Sequence, residues 1–174
     1  MKKNIFFLIV VLILLFFSLV FFKGLKLSSN YSSKDFIGKN VIKFSARSLY
    51  DSKESFSNND FEFRKFHIIN IWASWCAPCR EEHHFLMDLS NIENINLFGI
   101  NFKDDSANAI FFLNKNGNPY KKIGIDSDGS LSINFGFIGV PETVVYDKNN
   151  KIMLKYIGPL SKKDFKEIIK NTKN

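Results

Sequence analysis

Seven residues rich in β-branched and aromatic side chains, His67-Ile68-Ile69-Asn70-Ile71-Trp72-Ala73, end three positions before Cys76-Ala77-Pro78-Cys79. The run reads as a buried central strand. Residues 78–92 read as a helix: a proline in the first turn gives up an N–H that a helix start leaves unpaired anyway, and Glu81 and Glu82 lie near the positive end of the helix dipole. The two cysteines therefore sit where a central strand turns into a helix. They are the only cysteines in the chain, and they enclose so short a loop that a bridge between them barely restricts the unfolded chain. A disulfide-stapled secreted scaffold carries more bridges, spread further apart. This pair points to chemistry. The attacking species is the thiolate, and a sulfur just before the first helical turn faces unpaired N–H groups and the helix dipole, which favour the charged form. Cys76 is therefore the expected nucleophile. Cys79, one turn further on and expected to be more enclosed, suits the resolving thiol that attacks the mixed disulfide and frees the product.

The rest of the chain reads as one α/β domain. Residues 41–44 and 55–56 look extended, 96–101 form a second strand, and 106–116 a helix ended by Gly117. Residues 142–146 and 152–156 form a hairpin around Asp147-Lys148-Asn149-Asn150. Residues 161–171 form a closing helix, with Ser161 as N-cap and Asp164 three positions on. The plan is three layers with a mixed sheet: the crossover rule makes the first two strands parallel, and the hairpin makes the last two antiparallel.

Ahead of this domain, residues 5–22 form an apolar run with Ser18 as its only polar member. At about 1.5 Å per residue such a helix reaches roughly 27 Å, close to the hydrocarbon thickness of a bilayer. The run is longer than the apolar part of a cleaved signal, and no small-residue cleavage pattern follows it. Residues 1–26 therefore read as an uncleaved signal anchor, 27–35 as a polar, Ser-rich tether and 36–174 as the domain. The tail before the run is only a few residues long, so the bulk of the chain is expected outside the cytoplasm, where disulfide chemistry is possible. The net charge of +7 does not indicate nucleic-acid binding. Lys2, Lys3, Lys23 and Lys26 flank the apolar run, and without them 20 basic side chains face 17 acidic ones. The chain has no arginine cluster or basic stripe interleaved with aromatics.

Two further patterns bear on chemistry. His83, four residues after Cys79, could in principle join the cysteines around Zn or Cu(I), but a structural zinc site needs four ligands, and the remaining histidines are His84 and His67. His83 and His84 read instead as a partly exposed pair on an amphipathic helix, and no metal is expected. The second pattern is Gly136-Phe137-Ile138-Gly139-Val140-Pro141-Glu142-Thr143, in which Pro141 opens a strand. After a Cys-x-x-Cys unit this is the expected substrate-binding loop, and a cis Val140–Pro141 bond would leave the Val140 backbone free to pair with an extended peptide.

Taken in order, residues 70–83, the segment Gly99-Ile100-Asn101-Phe102-Lys103-Asp104-Asp105, then Gly117-Asn118-Pro119-Tyr120, and Gly136 to Thr143 make the chain resemble the membrane-tethered thiol:disulfide interchange proteins of cytochrome c maturation, the CcmG/DsbE family. The resemblance implies a thioredoxin-like fold behind one N-terminal transmembrane helix, in a bacterial inner membrane with the C-terminal domain in the periplasm. It implies an oxidoreductase working through a Cys76–Cys79 dithiol/disulfide with no other cofactor. Its expected substrate is apocytochrome c, whose haem-binding cysteines it would keep reduced. Its expected reductant is a membrane electron donor of the DsbD/CcdA type, and other cytochrome c maturation proteins are possible partners. By position, Pro141 matches the cis-proline, and Glu82 and Glu142 match acidic residues near the family's active site. General thioredoxins carry a buried Asp on the central strand, where this chain has Asn70, and the resemblance then places the acid–base role on Glu82. The expected partner-contacting residues are Trp75, Ala77, Pro78, Val140, Pro141 and Glu142. A broader reductase of the TlpA/ResA kind and a metal- or haem-handling module are the alternatives.

Overall fold

A computed structural model describes residues 2–26, 33–62 and 64–173. The chain forms two compact units, Met1–Ser32 and Ser33–Asn174. The first contains helix α1 (Lys2–Lys26), whose stretch Asn4–Lys23 is long and apolar enough to cross a membrane. Of the expected tether, residues 27–32 lie outside the described residues, and Ser33–Phe36 form a single 3₁₀ turn.

The second unit has the thioredoxin-like α/β fold. Its elements are β1 (Ser45–Arg47), β2 (Ser55–Ser57), β3 (Phe66–Trp72), α2 (Ala77–Ser90), β4 (Ile95–Phe102), α3 (Ser106–Asn116), β5 (Lys122–Asp126), α4 (Ser130–Asn134), β6 (Glu142–Tyr146), β7 (Ile152–Ile157) and α5 (Lys162–Thr172). The five-stranded sheet has the order β5-β4-β3-β6-β7. Strands β3, β4 and β5 are parallel; β6 is antiparallel to β3 and to β7. Both crossovers step across the sheet in the same direction, so right-handed connections put α2 and α3 on one face. Leu86, Leu89, Phe112, Leu113 and Ile168 from α2, α3 and α5 pack there against Ile68, Trp72, Leu97 and Val145. The other face packs Ile69, Ile71, Phe98, Ile100 and Val144 against Phe44, Phe56, Phe135 and Phe137. Many of the phenylalanines are spent here: Phe56 stacks on Phe98 at 4.8 Å and Phe44 meets Phe135 edge-on at 5.0 Å.

Alternation along β3 sends Ile69 and Ile71 to the second face, and it sends Ile68, Asn70 and Trp72 to the face covered by α2. A polar Asn70 is thereby aimed at the cysteine-bearing helix.

Three local expectations differ from the fold. The short paired strand lies at Ser45–Arg47, pairing with Ser55–Ser57, while residues 41–44 form no strand and Val41 donates its N–H to Asn150 at 2.9 Å. Strand β5 was not expected, because Lys121, Lys122, Gly124 and Asp126 interrupt any apolar alternation. It survives as an edge strand, and a Cβ at Gly124 would lie 2.6 Å from the Ala46 Cβ. Helix α4 starts at Gly129 with no side-chain cap of its own. Asp126, four residues before α4, accepts instead from Leu131 N–H at 3.1 Å and Ser132 N–H at 2.8 Å. At α5 the expected capping box is present: Ser161 Oγ accepts from Asp164 N–H, and the Asp164 carboxylate accepts from Ser161 N–H at 2.9 Å.

Candidate active site

Cys76 is the N-cap of α2, and its Sγ accepts from Cys79 N–H at 3.2 Å. The two sulfurs are bonded at 2.07 Å, with Cα atoms 5.3 Å apart. In this oxidised form Cys76 and Cys79 are each 3% exposed. Burial therefore does not separate nucleophile from resolving thiol, and the expected greater enclosure of Cys79 is not seen. Position on the helix does separate them: Cys76 stands at the uncompensated N-terminus, and Cys79 lies one turn inside. Trp75, Ala77 and Pro78 are exposed around the pair, and Trp75 Nε1 donates to the Lys103 carbonyl at 3.0 Å.

A buried polar network ties the cysteine-bearing helix to β3 and β6. Asn70, Glu82 and Thr143 are fully buried. Asn70 Nδ2 donates to Glu82 Oε1 at 2.8 Å and to Thr143 Oγ1 at 3.0 Å, and Tyr120 OH donates to Asn70 Oδ1 at 2.8 Å. Burial pushes the Tyr120 hydroxyl well above its ordinary range, so it stays a donor and fixes which way the Asn70 amide faces. Tyr120 reaches this position by stacking on Trp72 at 5.5 Å. Gly99 permits that stack, since a Cβ there would come within 2.8 Å of Trp72 Nε1 and 3.0 Å of the Tyr120 ring. The other Glu82 oxygen, Oε2, accepts from Leu160 N–H at 2.7 Å. Loss of hydration outweighs these two hydrogen bonds and raises the Glu82 carboxyl to about 7. Glu82 is three residues after Cys79, a spacing that makes them neighbours on the helix. A buried carboxyl that titrates near neutrality is suited to accept or return a proton there.

Asp104 does more than end a loop. Its carboxylate accepts from Ser74 N–H at 2.6 Å, Ser74 Oγ at 2.8 Å, Asn101 Nδ2 at 3.0 Å and Asp105 N–H at 2.9 Å. Arg80 closes the loop from the other side, donating twice to the Ser74 carbonyl, at 2.7 and 3.2 Å. Asp105 is the ordinary N-cap of α3, accepting from Asn108 N–H at 3.0 Å. Nothing in the sequence marks Ser74, 30 positions away, as the partner of Asp104. Replacing Asp104 with alanine strands several half-buried donors. The expected cost is about 2–3 kcal/mol of stability, measured as a lower denaturant midpoint at unchanged m-value.

The loop expected to bind substrate enters β6 through a cis Val140–Pro141 bond. Ile71 of β3 lies opposite Glu142 of β6, so this loop and the cysteine loop leave the sheet at the same end of neighbouring strands. Ile138 and Gly139 are exposed, Val140 is half-buried and Pro141 is buried. Glu142 is fully buried. Its carboxylate turns back on its own loop: Oε1 accepts from Ile138 N–H at 2.6 Å and Gly139 N–H at 3.1 Å, and Oε2 forms an ion pair with Lys155 Nζ at 3.5 Å.

His83 departs from the expectation of a partly exposed pair. It is buried against Phe112, its Nε2 lies 3.1 Å from the Gly117 carbonyl, and burial lowers its pKa. His84 is exposed. Among the described residues, no group of three or more His, Cys, Asp and Glu side chains could hold a metal ion.

Comparison with known proteins agrees with this geometry. The profile of the Redoxin family matches residues 30–170. A probable thiol:disulfide interchange protein DsbE-2 of Pasteurella multocida is 35% identical over 167 residues, covering 96% of this chain and 87% of the relative. The thiol:disulfide interchange protein DsbE of Escherichia coli is 38% identical over 134 residues, covering 77% and 72%. Among solved structures, a DsbF homologue from Corynebacterium diphtheriae superposes with a TM-score of 0.69 at 23% identity, covering 83% of this chain and 96% of that one. At that identity the likeness speaks for the fold.

Proposed function

Since the chain belongs to the Redoxin family, and within it to the thiol:disulfide interchange proteins of the DsbE type, we propose that it is a membrane-anchored reductant of the haem-binding cysteines of apocytochrome c. The domain works outside the cytoplasm and is itself reduced by a membrane dithiol donor. The observation that carries the reading is the Cys76–Cys79 pair at the N-terminus of α2, with a buried carboxyl raised to about 7, Glu82, one turn further along the same helix.

In the reduced protein the Cys76 thiolate attacks one sulfur of the substrate disulfide. The bond between the substrate sulfurs breaks, one leaves as thiolate, and a mixed disulfide forms. Cys79 passes its proton to Glu82, directly or through one water, and its thiolate attacks Cys76 Sγ. The second substrate sulfur leaves as thiolate, and Cys76–Cys79 becomes a disulfide. Two electrons pass to the substrate, and the donor later restores them. Asn70 and Leu160 N–H hold the Glu82 carboxylate in place for the transfer. Helix α1 supplies the anchor, and the exposed Trp75, Ala77, Pro78, Ile138 and Gly139 offer the contact surface.

A redox titration of the full chain against glutathione and dithiothreitol buffers tests the direction. A potential at or below that of the glutathione couples, about −200 mV or lower, is expected for a reductant. A value near the roughly −120 mV of a strong oxidant would overturn the reading. The reduced protein should also open the disulfide of a Cys-x-x-Cys-His peptide faster than that of an unrelated peptide. Equal rates would favour a reductase of broader range.

A further inference from the structure

Lys155, near the middle of β7, is buried, with its ammonium group shut away from solvent. Lysine is rarely so enclosed unless its charge is matched. Here Nζ donates to the Gly136 carbonyl at 2.6 Å and pairs with Glu142 Oε2 at 3.5 Å. It also lies over the rings of Phe36 at 4.0 Å and Phe137 at 4.6 Å. Burial lowers its pKa and the Glu142 charge opposes that shift. The same Glu142 carboxylate holds Ile138 N–H and Gly139 N–H. Two buried, oppositely charged side chains from β6 and β7 thus grip a carbonyl at one end of the 136–141 loop and two amides near its exposed tip. A buried ion pair of this kind adds little net stability over apolar side chains of similar volume, while it does fix orientation.

We propose that Lys155 is a positioning residue for partner recognition: through Glu142 and the Gly136 carbonyl it holds the 136–141 loop in the one conformation that presents Ile138, Gly139 and Val140 beside the disulfide. The proposal rests on the reading of this loop as the partner-binding surface. Lys155 touches neither partner nor sulfur. Its removal therefore acts on recognition and leaves the electron-transfer chemistry of the cysteine pair as it was.

The test uses the full chain and its Lys155→Met form. A Glu142→Gln/Lys155→Met double variant keeps the test alive if a stranded Glu142 charge prevents folding. Three quantities are read: amide hydrogen exchange at Ile138 and Gly139, KM and kcat for a Cys-x-x-Cys-His peptide disulfide, and the pH profile of Cys76 alkylation in the reduced protein. Lys155→Met is expected to raise exchange at the two loop amides about tenfold or more, with α2 amides unchanged. KM for the peptide rises about tenfold, kcat changes by less than about threefold, and the alkylation profile stays in place. The double variant shows the same direction of change in exchange and KM. Loop amides as protected as in the wild type overturn the proposal. Lost protection with an unchanged KM overturns the reading of the loop as the partner surface, and the proposal with it. A shifted alkylation profile, or kcat falling in step with kcat/KM, also overturns it, because Lys155 would then act on the sulfur chemistry.

Discussion

A chain carrying Cys79→Ser is expected to accumulate as a covalent adduct with its partner through Cys76, while turnover falls by about 10³-fold or more. The nucleophile still attacks and the first substrate sulfur still leaves, but no second thiolate lies one turn along α2 to displace the mixed disulfide. The adduct is read on a non-reducing gel and by intact mass, and it disappears on adding dithiothreitol. Cys76→Ser should form no adduct, because Cys79 lacks the N-terminal position that stabilises a thiolate. An adduct from Cys76→Ser and none from Cys79→Ser would exchange the two roles.

The second large effect belongs to Glu82. Glu82→Gln keeps the shape and removes the titration, and the rate of mixed-disulfide resolution at pH 7 is expected to fall by about 10²-fold. The inflection near pH 7 in the wild-type rate should vanish with it. Stability gives an independent reading. The folded chain holds the Glu82 proton up to about pH 7, while the unfolded chain releases it near the ordinary 4.5. Between those values the folded state binds more protons, so the contribution is fully present below pH 4.5 and is lost as pH rises through 7. The loss is on the order of 3 kcal/mol. Glu82→Gln should show no such slope between pH 5 and 8 in denaturant melts. A slope equal to that of the wild type would mean that Glu82 is not the titrating group.

What the sequence revealed follows the range over which each interaction acts. The β3–Cys76–Cys79–α2 unit was legible because every determinant lies within a few residues: an apolar run, a proline in the first helical turn, and a thiol at the cap. The Ser161–Asp164 capping box and the Asp147–Asn150 turn were legible for the same reason. The parts that tune the site join distant segments. Tyr120 meets Asn70 across 50 positions and Asp104 meets Ser74 across 30, and no local pattern announces either contact. The burial of His83 depends on Phe112 of α3 and the Gly117 carbonyl, so the periodicity of α2 alone could not place it. Glu142 was assigned to substrate contact on resemblance, and its carboxylate is instead turned inward by amides three and four residues before it. Strand β5 and helix α4 were missed because one is an edge strand split by Gly124 and the other a single turn capped from outside by Asp126.

Two bonded cysteines that are each only 3% exposed leave little room for company. Whatever delivers electrons and whatever takes them away must reach the same bond, through the narrow access left beside the exposed Trp75, Ala77 and Pro78. Two callers cannot stand in it together, so traffic is serial: the donor must depart before the acceptor arrives. Each visitor can then know the other's business only through the state of one bond.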